Sequence, residues 1–260
     1  MDRPHVLACA SSRSGTAPCS DSVPRGRARD PSVAQPNSVP ARLNLPAIES
    51  FLKAVQEDFA RINHTLNAPR DILTEEVRTN MMAGYRFVDD ALARELDLFE
   101  PGHSQRLLEM NTLVLCGTDE HSRKHHARHI ALTEQRFYEQ EGGGIGAFME
   151  WLQRHRGDDV WTRSAGAYIH ILSRPQLYIE GNHRAGALIM SSMLAHEGRP
   201  PFVLCVKNAK AYFDPSALVK EAKKRGLRML IRVPRLRKRF AELLKEHADE
   251  RYLLPPHCPP

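Results

Sequence analysis

The 260-residue chain has few of the features that mark exported, membrane-spanning or disulfide-stabilised proteins. Its five cysteines are odd in number, widely spaced and never arranged as Cys-x-x-Cys, which fits reduced thiols better than a disulfide framework. No apolar run approaches the about 18 residues that a membrane-spanning helix needs, and the early VLACA is too short for a signal-peptide core. We therefore expect a cytoplasmic protein that is not integral to a membrane, although secretion without an N-terminal signature stays open.

The first part of the chain also has little to bury. Residues 1–45 contain six prolines, seven serines and six arginines, but few large apolar side chains. Such a segment cannot bury enough surface to offset the entropy lost on ordering. We expect a disordered tail rich in Pro, Ser and Arg, and a start codon assigned too early would leave the same pattern.

Beyond this tail the composition is that of a globular protein, with 42% hydrophobic and 26% charged residues over the whole chain. Apolar residues recur at helical spacing and strand signals are few, so the predicted class is mainly α. We divide the chain into N-terminal helices at 46–102, a core at 103–218, and basic C-terminal helices with a tail at 219–260. Cys116 and Cys205 lie in apolar runs, which predicts that they are small core residues.

One segment combines several reactive groups. QLYIEGNHRAGALI, residues 176–189, places a carboxylate, a glycine, an amide, an imidazole and a guanidinium before an apolar helical run. The first turn of a helix has unpaired N–H groups and the positive end of the dipole, which suit a phosphate. Gly181 allows close approach, Arg184 adds a bidentate cation, and Glu180 can hold a divalent cation that bridges phosphates. The alternative is an ordinary helix start with Asn182 as its cap and solvated charges beside it.

The same segment resembles the signature of Fic (Fido) domain proteins, H-P-F-x-[D/E]-G-N-G-R-x-x-R. Four positions match the signature, and a fifth has tyrosine where the family has phenylalanine. These positions are Glu180, Gly181, Asn182, Arg184 and Tyr178. The family therefore supplies an independent reason to expect a phosphate site here.

The order of the elements around this segment is also similar to that of Fic proteins. LLEMNTLVLCG resembles the helix before the family's flap, RHIALTEQRFY falls where the flap belongs, and IGAFMEWLQRH resembles the helix after it. GRPP at 198–201 matches a turn that follows the motif helix. The likeness extends over about residues 107–212.

The resemblance implies a Fic-like helical bundle with a small β-hairpin flap at residues 129–138, where a target protein docks by strand addition. It implies ATP and Mg²⁺ as ligands, with Glu180 at the metal, and AMP transfer to a Ser, Thr or Tyr hydroxyl. The nucleotide-binding positions that it implies are Gly181, Asn182, His183 and Arg184.

Four positions depart from the signature. Gln176 stands where the family has its catalytic histidine, and glutamine cannot accept a proton at neutral pH. Leu177, His183 and Ala187 replace the proline, the second glycine and the second arginine. AMP transfer is therefore expected to be weak, altered or lost, while His183 either adds a donor to the anion site, blocks it, or serves as a substitute base.

The preferred interpretation is a Fic-family protein that binds a nucleotide or another phosphate-bearing ligand at EGNHR. Phosphoryl-type transfer depends heavily on positioning and charge, so an active transferase with a non-standard base or donor is a second interpretation. A non-enzymatic module that binds protein or nucleic acid is a third.

Two charged runs lie outside the motif. Lys220 to Arg239 contains ten Lys or Arg residues and one Glu, which suits either an anionic partner or a solvated helix face. His121, His125 and His129 recur at every fourth position, which on one helix face would suit a transition metal. The alternative for the histidines is a solvated connection to the flap.

Overall fold

The computed structural model describes residues 41–141, 143–220 and 227–254, with the side chains of 227–232 left aside. The described residues form helices and no strand, which confirms the mainly α class. The helices are α1 Leu45–Glu57, α2 Phe59–Thr65, α3 Glu75–Ala93, α4 Ser104–Cys116, α5 Glu120–His125, α6 Ala127–Glu139, α7 Ile145–Arg154, α8 Val160–Leu172, α9 Asn182–His196, α10 Ala209–Lys220 and α11 Leu227–Glu246.

Side-chain caps explain where several helices begin. Asn44 Oδ1 accepts a hydrogen bond from Ala47 N in α1, and Thr74 Oγ1 accepts one from Val77 N in α3. Each cap satisfies one of the N–H groups that a helix start leaves unpaired. Helix α4 ends at Gly117, which takes a φ of 65°, a left-handed conformation that glycine adopts readily.

Helix α9 is the centre of the bundle. It packs mainly against α8, which in turn packs against α11, while α3 contacts both α4 and α9. Residues Ala185 to Ala195 are buried on every face of the helix, as expected for a helix enclosed by neighbours. Cys116 and Cys205 are free thiols in buried positions, in agreement with their predicted place in the core.

The two ends of the described chain meet beside α3. Leu43 and Leu253 form an isolated antiparallel bridge, and Leu254 N donates to Arg42 O. The buried carboxylate of Asp89 accepts hydrogen bonds from the Arg42 guanidinium, at 2.6 and 2.9 Å, and from Leu43 N, at 2.8 Å. Residues 41–45, which the sequence assigns to the tail, therefore contact the helical body, while residues 1–40 lie outside the described part.

The predicted hairpin at residues 129–138 is wrong, because these residues lie within helix α6. Ile130, Thr133 and Phe137 follow helical spacing, and Thr133 and Phe137 are fully buried. Burial of this one face outweighs the weak alternation that suggested strands. A helix has satisfied its own backbone groups, so the strand addition expected for a protein partner at this segment has no edge to use.

The basic C-terminal helix, α11, begins at Leu227 and contains Pro234 in its interior. Residues 221–226 of the basic stretch lie outside the described part. In the described part, Arg237 pairs with Asp158 at 3.0 Å, so this arginine connects α11 to the loop between α7 and α8.

No helix in the described ranges combines the length and the apolar character needed to cross a membrane. The longest of them, α11, is an amphipathic helix dense in arginine and lysine.

The contact between α8 and α9 gives a first prediction. A Cβ added at Gly186 would lie 2.8 Å from Tyr168 Cδ2, closer than such atoms approach. Gly186→Ala should therefore force the helices apart and lower the free energy of unfolding by about 1–3 kcal/mol, despite the better helix propensity of alanine. Urea denaturation measures the change.

Gly146→Ala in α7 is the matched control, because no atom lies within 4 Å of its added Cβ. It should be neutral or stabilising by up to about 1 kcal/mol. Equal effects of the two substitutions would contradict tight packing at Gly186.

Candidate functional site

The loop between α8 and α9 carries the motif and is closed by one side chain. The Asn182 Oδ1 atom accepts from Tyr178 N at 3.0 Å, and its Nδ2 donates to Tyr178 O at 2.9 Å. Asn182 is buried, so both backbone groups of Tyr178 depend on this amide. Asn182 is the first residue of α9, with Gly181 as the cap position, so its side chain holds the loop and does not cap the helix.

Three more contacts hold the loop against α4 and α6. Tyr178 stacks on Phe137 with ring centroids 5.6 Å apart, and its hydroxyl donates to Leu107 O at 2.9 Å. Asn111 Nδ2 donates to Glu180 O at 2.9 Å. The aromatic residue at the family's Phe position is therefore an anchor in the core, and it presents Glu180 at the surface.

Gly181 is the residue where the chain turns into α9. Its φ of 73° lies in the left-handed region, which a glycine adopts without strain. A Cβ at this position would also lie 2.8 Å from Asn111 Nδ2. Gly181 occupies the cap position and has no side chain that could cap the first N–H groups of α9.

A polar cavity of about 280 Å³ lies at the start of α9. We call it the Glu180 cavity. It is lined by Glu76, Val77, Asn80, Leu115, Cys116, His126, His129, Glu180 and Arg184. The sequence predicted Glu180 and Arg184 to act together, and the structure brings both to this cavity.

Arg184 is the most buried charged side chain that lines the Glu180 cavity. It is half-buried, and its Nη1 donates to the carbonyl oxygen of Val114 at 2.6 Å. No carboxylate forms an ion pair with it within the described part of the chain, although Glu180 and Glu76 lie near enough to favour its charge. Burial lowers its pKa, because removal from water disfavours a cation. A guanidinium in this state gains from an anionic ligand.

His183 turns away from the Glu180 cavity and is tied into a chain of hydroxyl groups. Ser216 Oγ donates its single proton to Tyr212 O at 2.5 Å, so it must accept from Tyr168, 2.7 Å away. The Tyr168 proton is then used, and His183 Nδ1–H donates to Tyr168 Oη at 3.0 Å. The network thus assigns the proton to Nδ1.

His183 is therefore a neutral imidazole whose Nε2 is unprotonated. Burial lowers the pKa of His183 to about 3, and the nearby cations Arg70, Lys220 and Arg184 add to this. Nε2 is buried and has no hydrogen-bond partner among the described residues. A group with so low a pKa is a weak base at neutral pH.

Gln176 does not join the other motif residues. It is half-buried, its side-chain amide donates to Leu172 O at 3.1 Å, and its own carbonyl accepts from Arg136 Nε at 3.2 Å. It does not line the Glu180 cavity. The residue at the position of the family's base thus covers the end of α8.

The histidine run does not form a metal site in the described part of the chain. Helix α5 ends at His125 and α6 starts at Ala127, so the chain bends at His126 and the run does not share one helix face. Across the described ranges, no three His, Cys, Asp or Glu side chains cluster as metal ligands do. His121 and His125 are exposed, and of the three spaced histidines His129 alone lines the Glu180 cavity, together with His126.

Glu76 and His129 belong to the cavity but were not predicted to join Glu180 and Arg184. Glu76 comes from the first turn of α3 and His129 from α6, more than 50 positions from Glu180 along the chain. The sequence shows Glu76 as an ordinary polar residue and His129 only as part of the histidine run. Only the packing of α3 and α6 beside α9 brings them to the motif.

No model of a protein family, no curated protein and no solved structure matches this chain.

The Asn182 amide gives a second prediction. Asn182→Ala leaves the buried N–H and carbonyl of Tyr178 without partners, so the free energy of unfolding should fall by about 2–4 kcal/mol. Asn67→Ala is the control, because Asn67 is exposed and only its backbone N–H is bonded, to Asp214. Denaturation of both variants in urea tests this, and a loss below about 0.5 kcal/mol for Asn182→Ala would contradict the role.

His183 gives a third prediction, on pH. Its pKa is lower in the folded state than in the unfolded chain, so between about pH 6.5 and pH 3 the unfolded state binds the extra proton. Stability should therefore fall as the pH falls through this window, by up to roughly 1.4 kcal/mol per unit from this group. His183→Gln should flatten the dependence between pH 7 and pH 5 in urea titrations. His121→Gln, at an exposed position, should leave the slope unchanged, and equal slopes in all three proteins would refute the assignment.

Proposed function

We propose that the chain is a Fic-like protein that binds a phosphate-bearing ligand, such as a nucleotide, at the start of α9. Arg184 carries the proposal. Its guanidinium is half-buried at the first turn of α9, makes one hydrogen bond to a backbone carbonyl, and lacks a carboxylate partner within the described residues. Buried charges are normally paired, so an anion is the expected partner.

The surroundings of Arg184 support a phosphate. Arg184 lies in the first turn of α9 and lines the Glu180 cavity, and the start of this helix carries the positive end of the helix dipole. Gly181 lacks the Cβ that would meet Asn111 Nδ2, so the turn that leads into α9 can pack against α4. Because His183 lines a different cavity, its side chain leaves the Glu180 cavity open.

The carboxylates of the cavity suit Mg²⁺ only together with a phosphate. Glu180 and Glu76 both line it, and both are exposed. Mg²⁺ is held in proteins by one or two carboxylates along with water and substrate phosphates, which this donor set fits. A bound Mg²⁺ would supply positive charge that neutralises the phosphate oxygens, while Arg184 orients them.

We propose that transfer chemistry is weak or lost. Gln176 has no lone pair that takes a proton at neutral pH, and its amide is bonded to the end of α8. His183, the substitute considered from the sequence, has a pKa near 3 and is turned toward Tyr168. Positioning and charge stabilisation remain, and these support binding more than turnover.

The fourth prediction concerns binding. Arg184→Met removes the charge while keeping an apolar stem, and it should weaken the binding of Mg-ATP or inorganic pyrophosphate by about tenfold or more, as expected for a charge-assisted hydrogen bond. Isothermal titration calorimetry measures this. Arg86→Met, the same change at an exposed position, is the control.

Glu180→Gln separates the metal from the phosphate. It should reduce the gain in affinity that Mg²⁺ gives and leave metal-free binding unchanged or stronger, since a negative charge is removed. Failure of wild type to bind Mg-ATP or pyrophosphate near 1 mM, or equal binding by Arg184→Met, would overturn the proposal.

Incubation with labelled ATP, Mg²⁺ and cell lysate tests turnover. The wild type should transfer little label, and Gln176→His should raise transfer if the loop can present a base to the bound ligand. Strong transfer by the wild type that vanishes in Arg184→Met would favour the active-transferase interpretation instead.

A further inference from the structure

A second cavity, of about 240 Å³, lies on the other side of Arg184. It is enclosed by α1, α2, α3, α9 and α10, together with the loop before α3 and the segment after α9. Most of its lining is apolar and includes Phe59, Leu73, Met81, Phe202 and Phe213. We call it the Arg70 cavity. Close-packed interiors leave few voids larger than a water molecule, so an apolar space of this size is suited to a ligand.

Two guanidinium groups stand at the wall of this apolar space. Arg70 donates through Nη2 to Phe213 O at 2.9 Å and lies over the Phe213 ring, 5.5 Å from its centroid. Arg184 lines both cavities. Neither forms an ion pair with a carboxylate among the described residues, and Arg70 Nε has no hydrogen-bond partner there.

The charge of the lining sets the charge of the ligand. Asp71 also lines the cavity and is exposed. His183 is neutral at physiological pH because burial lowers its pKa to about 3. Two arginines and one aspartate leave a single positive charge, which matches a monoanion better than a nucleotide triphosphate.

The size and the mainly apolar lining of the cavity fit a small apolar ligand better than a nucleotide. The wall offers aliphatic and aromatic side chains, while its hydroxyl groups are already used: Tyr85 donates to Phe202 O and Tyr212 donates to His183 O. The volume lies below the about 300–1,000 Å³ typical of drug-sized ligands. A small molecule with an apolar body and one anionic end fits both facts.

We propose that the Arg70 cavity binds a small amphiphilic carboxylic acid, with its carboxylate at Arg70 and Arg184 and its apolar body against Phe59, Met81 and Phe213. Arginine forks match a carboxylate in two-point geometry. The ligand supplies the partner that Arg70 Nε lacks. The proposal shares Arg184 with the phosphate site, but it also requires Arg70, which lines only the Arg70 cavity, so the two sites can be tested separately.

Octanoate is the probe, with octanol as the neutral analogue and octyl phosphate as the more highly charged one. Isothermal titration calorimetry on the full chain should show saturable octanoate binding with a Kd of about 1 mM or tighter, and octanol and octyl phosphate should bind at least about tenfold more weakly. Equal binding of octanoate and octanol would show that the arginines do not select an anion. Tighter binding of octyl phosphate than of octanoate would show that the cavity prefers a phosphate ester to a carboxylate. Absence of octanoate binding would overturn the proposed site.

Variants locate the binding. Arg70→Met should weaken octanoate at least about tenfold, and Arg70→Lys should recover part of it because the charge returns. Ala187→Met, which fills the cavity from α9, should abolish binding of both octanoate and octanol. Arg86→Met is the surface control, and thermal melting checks that each variant is folded. Unchanged octanoate affinity in both Arg70→Met and Ala187→Met would refute this location.

Glu180→Gln keeps the two cavities apart experimentally. It should alter Mg-ATP binding and leave octanoate binding unchanged, because Glu180 lines only the Glu180 cavity. Loss of Mg-ATP binding alone would therefore not contradict the carboxylate site. Loss of octanoate binding alone would not contradict the phosphate site.

Discussion

The close approach of α8 and α9 is the constraint on which the site depends. Gly186 lets α9 lie against the ring of Tyr168, and the loop that joins the helices must then turn within nine residues. Asn182 closes this loop by bonding both backbone groups of Tyr178. With the loop held in this way, Glu180, just before α9, and Arg184, in its first turn, line the same cavity.

Arg184 is the side chain of this packed region that is suited to bind an anionic ligand. It is buried by the same packing that orders the loop, and burial lowers its pKa without supplying a paired carboxylate in the described residues. A cation in this position costs the protein stability, because desolvation is only partly compensated. Such a cost is expected where a group is held ready for a ligand, since the ligand then supplies the missing charge.

Much of the fold could be predicted because it depends on local patterns. Apolar residues at helical spacing lie within one or two turns of each other, so the sequence shows the helices directly. Residues 129–138 were misjudged because the burial of Thr133 and Phe137 depends on α4 and α7, which lie elsewhere in the chain. The same reason hid Glu76, His129 and Arg70 from the predicted site. Their roles come from which helices become neighbours.

His183 shows why a motif position cannot be interpreted from residue type alone. From the sequence, three roles were open for His183: an added donor in the phosphate site, a block of that site, or a substitute for the missing base. The structure places its ring against Tyr168 and in the lining of the Arg70 cavity, so it does none of these in the Glu180 cavity. The hydroxyl chain from Ser216 through Tyr168 fixes its proton on Nδ1 and leaves Nε2 bare. His183 therefore leaves the Glu180 cavity open and adds its ring to the lining of the Arg70 cavity, which Arg184 also lines.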